Sequence, residues 1–252
     1  MLILKNVYTG YNNKNIIKDI SFSLNLGENL AIIGPNGCGK TTLMRAIAGL
    51  ITHSGDILLN NVQISKLKPR QIAKNIALLS QVSNIYFAYT IYETVLMGRY
   101  IHLKDKFLSK PSQKDKDIVK TYLKMLELWH IKDQHINKIS TGQLQRVYLA
   151  RTLAQEPSLI LLDEPANHLD LKHQVQLISH LKKWSNTKNK SVIGVFHDIN
   201  LAHSLTQNII IMNNGKVLAK GTAKEVLTNE NLQQVYGMDV KKYMKETLNF
   251  WN

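Results

Sequence analysis

The sequence predicts an α/β fold: a core of buried strands and helices, an antiparallel β part at the N-terminus and a helical lobe inserted into the core. Three observations carry this expectation. Short apolar runs, Ala31-Ile32-Ile33, Ile76-Ala77-Leu78-Leu79, Leu159-Ile160-Leu161-Leu162 and Ser191 to Phe196, read as buried strands. Residues 1–30 instead alternate apolar and polar positions, the pattern of strands with one wet face. Between Gln81 and about Gln155 the apolar spacing becomes helical.

In chain order, Leu2-Ile3-Leu4, Val7, Ile20, Phe22, Leu24 and Leu26 set up antiparallel strands joined by polar turns. Tyr11 stands exposed in a Gly-Tyr-Asn-Asn turn, where it either covers a strand end or offers a platform for a purine ring. After the strand Ala31 to Ile33 and a glycine-rich loop, Leu43, Ile47 and Leu50 fall at helical spacing. Gly55 to Asn61 is a strand closing on a turn, Lys68-Pro69-Arg70 opens a short helix ending near Lys74, and Ile76 to Ser80 is a strand that delivers Gln81. Lys104 to Lys116 reads as a lysine-rich surface connection, after which Ile118, Tyr122, Met125, Leu126 and Trp129 form an amphipathic stripe. Ser140 and Gln143 have the spacing of a capping box ahead of a long helix containing Leu144, Val147, Tyr148, Arg151 and Leu153.

The most informative stretch is Gly34-Pro35-Asn36-Gly37-Cys38-Gly39-Lys40-Thr41-Thr42, which matches the phosphate-binding P-loop G-x-x-x-x-G-K-[ST]. Its glycines let several N–H groups converge on one anion, and the following helix presents its N-terminus to the phosphates. Lys40 reaches the β/γ-phosphates and the Thr41 hydroxyl is placed for Mg²⁺. Leu159 to Leu162 end on Asp163-Glu164; a strand ending in Asp beside the P-loop strand supplies an acid to the Mg²⁺ shell, and Glu164, just outside the strand, is placed to polarise a water. A third strand, Ser191 to Phe196, ends on His197, so three strands bring polar chemistry to one edge of one sheet. Within the P-loop, Cys38 is either a small residue at a variable position or a thiol whose pKa the N–H groups and Lys40 lower.

At 252 residues the chain can bury a substantial core. Its apolar runs are far below the roughly 20 residues that cross a bilayer, and no signal segment opens the chain, so a soluble, unexported protein is expected. One cysteine excludes an internal disulfide and fits a reducing cytosol. The net charge of +14 comes from scattered lysines without a long basic run, so no nucleic-acid partner is expected, while an anionic membrane face stays open. The nine histidines show no metal-ligand spacing.

With the P-loop, Gln81, Ser140 to Gln143, Asp163-Glu164 and His197 in this order, the chain resembles the nucleotide-binding subunit of ABC transporters over nearly its whole length. The resemblance implies a P-loop NTPase core, with residues 1–80 and 156–235 forming the α/β core and β subdomain, 81–155 the helical subdomain and 236–252 a C-terminal tail of one domain. By the same resemblance Tyr11 stacks adenine, Gln81 belongs to the Q-loop and touches Mg²⁺ or the γ-phosphate, and Ser140, Gly142 and Gln143 form the signature that binds ATP. Asp163 is then the Walker B aspartate and Mg²⁺ ligand with Thr41, Glu164 the catalytic carboxylate, Asn167-His168-Leu169-Asp170 the D-loop and His197 the switch histidine. Thr141 departs from the family's signature, which has a glycine there that lets a neighbouring backbone come close. Tyr86 to Arg99 and Val235 to Val240 are similar to ATPases of importers for iron-siderophores, haem and cobalamin.

One chain carries one P-loop and one signature, so two copies are expected to meet head to tail with ATP between the P-loop of one and the signature of the other. What the resemblance further implies is a homodimer on integral membrane permease subunits at the cytoplasmic face of the cell membrane, served indirectly by a substrate-binding protein. The aromatic segment Tyr86 to Tyr92 either grips a permease helix or packs inside the helical lobe. Cargo other than an iron chelate or cobalamin, such as molybdate, is the alternative, followed by an ABC ATPase acting on DNA or ribosomes. A P-loop kinase would leave Ser140 to Gln143 and His197 without a task.

Overall fold

The computed structural model describes residues 1–12, 14–80, 89–103, 110–167, 169–187 and 189–249. Gln81, Tyr86 to Ala88 and His168, to which the sequence assigns roles, lie outside the described residues.

Two sheets organise the chain. The first has the order β2-β1-β4-β5, built from β1 (Leu2–Tyr11), β2 (Lys14–Leu24), β4 (His53–Leu59) and β5 (Val62–Gln63), all antiparallel. The second has the order β10-β9-β3-β8-β7-β6, from β3 (Leu30–Ile33), β6 (Ile76–Leu79), β7 (Leu159–Asp163), β8 (Ser191–Val195), β9 (Asn208–Asn213) and β10 (Lys216–Thr222). Its strands run parallel except β10, which pairs antiparallel with β9 at the edge. The helices are α1 (Lys40–Ile47), α2 (Pro69–Asn75), α3 (Ile91–Leu96), α4 (Gln113–Met125), α5 (Thr141–Ala154), α6 (Leu171–Ser185), α7 (Ile199–Leu205), α8 (Ala223–Val226), α9 (Asn229–Tyr236) and α10 (Val240–Asn249).

Every residue of β3, β7 and β8 is buried, which explains why these strands show unbroken apolar runs. The pleat sends their side chains into two cores by turns. Leu30 and Ile32 join Leu159 and Leu161 in a core shared with the antiparallel sheet and α1, whereas Ala31 and Ile33 join Ile160 and Leu162 in a core shared with α3, α4 and α5.

The P-loop strand and the acid-bearing strand are not neighbours: β8 lies between β3 and β7, hydrogen-bonded to both. The expected adjacency therefore gives way to a three-strand arrangement in which the histidine strand sits centrally. The three strands still run parallel and end on one edge of the sheet, as expected.

Smaller differences have local causes. Leu50 is 65% exposed because α1 stops at Ile47 and Gly49, at φ 67°, turns the chain away. Leu26 lies beyond the end of β2 and is exposed. The connection expected to run to Lys116 ends earlier, since Ser112 caps α4 by accepting from the Asp115 N–H while Asp115 returns the bond. The buried face of α4 is Val119, Tyr122, Leu123 and Leu126; Ile118, Met125 and Trp129 are half-buried beside it. Past Tyr236 the chain continues as the helix α10.

Candidate active site

The loop between β3 and α1 is shaped by two glycines at positive φ, where any other residue would be strained. Gly34, at φ 150°, approaches the Met212 backbone so closely that a Cβ would lie 2.2 Å from its carbonyl oxygen. Gly39, at φ 106°, caps α1 in the left-handed region, and a Cβ there would lie 2.7 Å from Ile17. This turn sets the first residues of α1 facing the loop, with Lys40 5% exposed. The Lys40 ammonium donates to the Gly34 and Pro35 carbonyls at 2.8 and 2.9 Å, so its charge is held inside the loop that Asn36, Gly37 and Cys38 complete. Thr42 is buried behind it.

Asp163 closes β7 and is 3% exposed. Burial pushes its carboxyl above the usual carboxylate range, against the Thr41 hydroxyl bonded to it and the nearby charges of Lys40 and Arg45. Its Oδ1 is buried and makes no hydrogen bond among the described residues. A buried, unsatisfied carboxylate oxygen beside a hydroxyl is the donor set that a hard divalent cation completes. Thr41 and Asp163 therefore fit Mg²⁺.

Glu164 leaves the strand at φ 55°, a left-handed conformation that costs energy for any residue with a Cβ. Its N–H donates to the Val195 carbonyl at 3.2 Å, so the turn is tied to β8. Asp163 is paired with Val195 in the register of the two strands, which carries Glu164 toward the residues just beyond β8. There its Oε1 meets His197 Nε2 at 2.6 Å, while Oε2 accepts from Asn167 Nδ2 at 2.7 Å. The Glu164 side chain is 13% exposed and that of His197 40%. Asn167 also donates its N–H to the Glu164 carbonyl, closing a four-residue turn through Pro165.

Tyr11 ends β1 exposed, and its hydroxyl accepts from Arg45 of α1 at 3.1 Å, which places the ring beside the helix that follows the P-loop. Ser140 and Gln143 form the expected reciprocal cap of α5, at 3.2 and 2.9 Å, with Thr141 exposed and Gly142 half-buried between them. Their hydrogen bonds run within the cap, whereas Glu164 and His197 are bonded to each other across two strand ends. Deeper in α5, Gln145 donates to the Pro165 carbonyl at 3.2 Å and links this helix to the turn after Glu164. Asp170 caps α6 and lies 2.6 Å from His173 Nδ1.

Cys38 does not have the lowered pKa that Lys40 suggested. It is 4% exposed, and burial raises its thiol more than the Lys40 charge lowers it. Among the described residues no group of histidines, cysteines and carboxylates is arranged to hold a metal ion. Asn167 was expected in the D-loop but not as the partner of Glu164, and Gln145 was not singled out at all. The first sits three residues after Glu164, a turn spacing that was available; the second had no local signal.

The loop, the acid turn and the histidine at one sheet edge define a P-loop ATPase. The chain belongs to the ABC transporter family, whose model matches residues 17–167, and it is an ABC ATPase. It is 34% identical over 233 residues to the iron(3+)-hydroxamate import ATP-binding protein FhuC of Bacillus subtilis (strain 168), covering 92% of this chain and 86% of that one. Among solved structures it is similar to an inward-facing metal-chelate type ABC transporter, with a TM-score of 0.80, 29% identity and coverage of 94% and 89% of the two chains. It is also similar to the ATP-binding cassette MJ0796 in a dimeric post-hydrolysis state bound to ADP and Pi, with a TM-score of 0.77, 30% identity and coverage of 88% and 98%.

Proposed function

We propose that this ATPase drives import of an iron chelate, a siderophore or haem, or of cobalamin. In this reading two identical copies dock on integral membrane permease subunits at the cytoplasmic face of the cell membrane, and a substrate-binding protein delivers the cargo. The similarity to FhuC and to a metal-chelate type transporter supports the cargo class, and the dimeric cassette supports the pairing. Residues 1–252 act as one domain, with 1–80 and 156–235 as the α/β core and β subdomain, 81–155 as the helical subdomain carrying Gln81 and the signature, and 236–252 as a C-terminal extension.

The observation that carries the chemistry is the Glu164–His197 pair of 2.6 Å beside the buried Asp163. Glu164 is the general base. It takes a proton from the water whose oxygen attacks the γ-phosphorus as the bond to the bridging oxygen of ADP breaks. Asn167 and His197 hold the two carboxylate oxygens in place, and His197 orients the water and the γ-phosphate. Lys40 offers its charge to the β/γ-phosphates in exchange for the Gly34 and Pro35 carbonyls. Mg²⁺, when bound by Thr41 and Asp163 with Gln81 as the further expected ligand, supplies positive charge to the phosphate oxygens. Tyr11 stacks on the adenine, and Ser140, Gly142, Gln143 and Asp170 of the second copy complete the site.

Light scattering of the Glu164→Gln variant tests the pairing: ATP·Mg²⁺ should convert a monomer into a dimer, and a monomer in both conditions rejects a shared site that closes without a permease. Uptake of radioactive iron supplied as a ferric siderophore tests the cargo. Loss of uptake on deleting the coding gene is expected, and undiminished uptake of every ferric chelate and of cobalamin rejects it.

A further inference from the structure

A cavity of about 700 Å³ lies between α10 and the loop that carries His197. Its volume falls among small-molecule sites, and its lining is mostly apolar, with Ile199 on one side and Val240, Met244 and Leu248 on the other. Met238, Tyr243 and Leu248 keep 43%, 58% and 64% of their surface exposed, an apolar patch without a partner among the described residues. Three polar groups of the lining are already engaged: Asp198 caps α7, Thr247 donates to the Tyr243 carbonyl, and His197 meets Glu164. The cavity thus asks for a ligand whose body is apolar. At helical spacing Lys241 and Lys245 follow Leu248 around α10, just outside the residues that line the cavity, while the one carboxylate of the lining, Asp198, is held in the α7 cap.

The cavity touches the nucleotide site twice. His197 forms one wall, and the ring of Tyr236 forms another. The buried Tyr236 hydroxyl lies close to the Gly34 backbone and Cys38 of the P-loop, yet completes no hydrogen bond among the described residues.

We propose that this cavity is a regulatory site for an amphipathic anion, its apolar body between Met244 and Ile199 and its acidic head at the Lys241 and Lys245 rim, and that occupancy changes the rate of ATP hydrolysis through His197 and Tyr236. The regulatory part rests on the assignment of ATP hydrolysis to the His197 site. A ligand can act this way only by binding one arrangement of these walls better than another, so filling the cavity and saturating it should have related effects.

Anilinonaphthalene sulfonate, an amphipathic anion, is a direct probe. Fluorescence titration in the presence of saturating ATP should show one site per chain, and saturation should change turnover at least twofold. Met244→Trp, which fills the cavity, and Leu248→Glu, which places a like charge at an exposed position of its rim, should each weaken binding at least tenfold and make turnover insensitive to the probe. Displacement of the probe by ATP, unchanged affinity in Leu248→Glu, or saturation that leaves turnover unaltered would overturn the site. A wild-type protein without ATPase activity would count against hydrolysis at the His197 site, and the titration of the two variants would still decide whether the cavity binds the anion.

Discussion

Glu164 and His197 meet at 2.6 Å across the ends of two strands that are hydrogen-bonded in register, with Asn167 holding the other carboxylate oxygen at 2.7 Å. A carboxylate fixed on both oxygens is oriented before substrate arrives. Its amide analogue keeps the shape and loses the proton affinity. Glu164→Gln should therefore lower turnover by about 10² to 10⁴ while nucleotide binding persists. Phosphate release and titration with a fluorescent nucleotide measure the two quantities. Normal turnover in this variant would remove Glu164 from the base role.

Asn167 supports that carboxylate from the turn that follows it. A hydrogen bond to a charged group contributes about 1.5–3 kcal/mol, so Asn167→Ala should slow turnover roughly 10- to 150-fold if that orientation is needed at the transition state. Because the lost interaction concerns the base, KM for ATP should stay within about twofold. A rise in KM at constant kcat would instead mean that Asn167 serves binding.

Asp163 makes a prediction about stability in which the sign is informative. Its pKa is raised by burial, so between its ordinary value and the raised one the folded state holds more protons than the unfolded state, and stability falls as pH rises through that window. Asp163→Asn removes this burden. Without nucleotide the variant should melt at or above the wild-type temperature near neutral pH, and the difference should disappear in acid. With ATP·Mg²⁺ at a hundred times its dissociation constant the wild type gains about 2.7 kcal/mol, and the variant should lose most of that gain. Thermal unfolding with and without ATP·Mg²⁺ separates the two effects.

Cys38 should be inert in the folded protein. Burial keeps its thiol protonated and covers it, so a thiol reagent should react slowly at pH 7 with or without ATP and rapidly after unfolding in denaturant. Fast reaction in the folded protein that ATP blocks would restore the activated thiol.

Much of this site is legible in the sequence because its parts are contiguous or stand at the ends of apolar runs. Gly34 to Thr42 is one uninterrupted loop, and Asp163 and His197 each follow a strand that needs no partner to be recognised. Strand order is different. The placing of β8 between β3 and β7 depends on which buried parallel strands pair, and apolar runs of similar composition carry no label for that. The start of α4 was available, since Ser112 and Asp115 have cap spacing, but a lysine-rich surrounding concealed it. The stripe Ile118, Tyr122, Met125, Leu126 and Trp129 does pack on the core, and Val119 and Leu123, which share its helical face, are buried deeper still. The behaviour of Cys38 turned on burial, which outweighs a neighbouring lysine and has no local signature.

Arg99 was visible only as part of a resemblance, and its contacts join three separate stretches of chain. It is 4% exposed, donates from Nε to Asp115 at 2.9 Å, and donates from Nη1 to the Ala154 carbonyl at 2.7 Å and to Glu156 at 2.9 Å. Asp115 is held below the usual carboxylate range although burial works to raise it, because the Ser112 and Arg99 bonds outweigh that cost. This depressed acid contributes stability that is present above its unfolded value and is lost as pH falls through the folded one. Arg99→Ala leaves Asp115 buried without its counter-charge, a loss of about 3–5 kcal/mol for a broken buried pair. At roughly 2–4 °C per kcal/mol for a chain of this size, the melting temperature should drop by about 6–20 °C. The double variant Arg99→Met with Asp115→Asn, which removes both charges, should recover a substantial part of that drop. The deficit of Arg99→Ala should shrink on acidification toward the Asp115 pKa, and a deficit that is constant with pH and unrelieved in the double variant would mean that Arg99 stabilises the lobe through packing rather than charge.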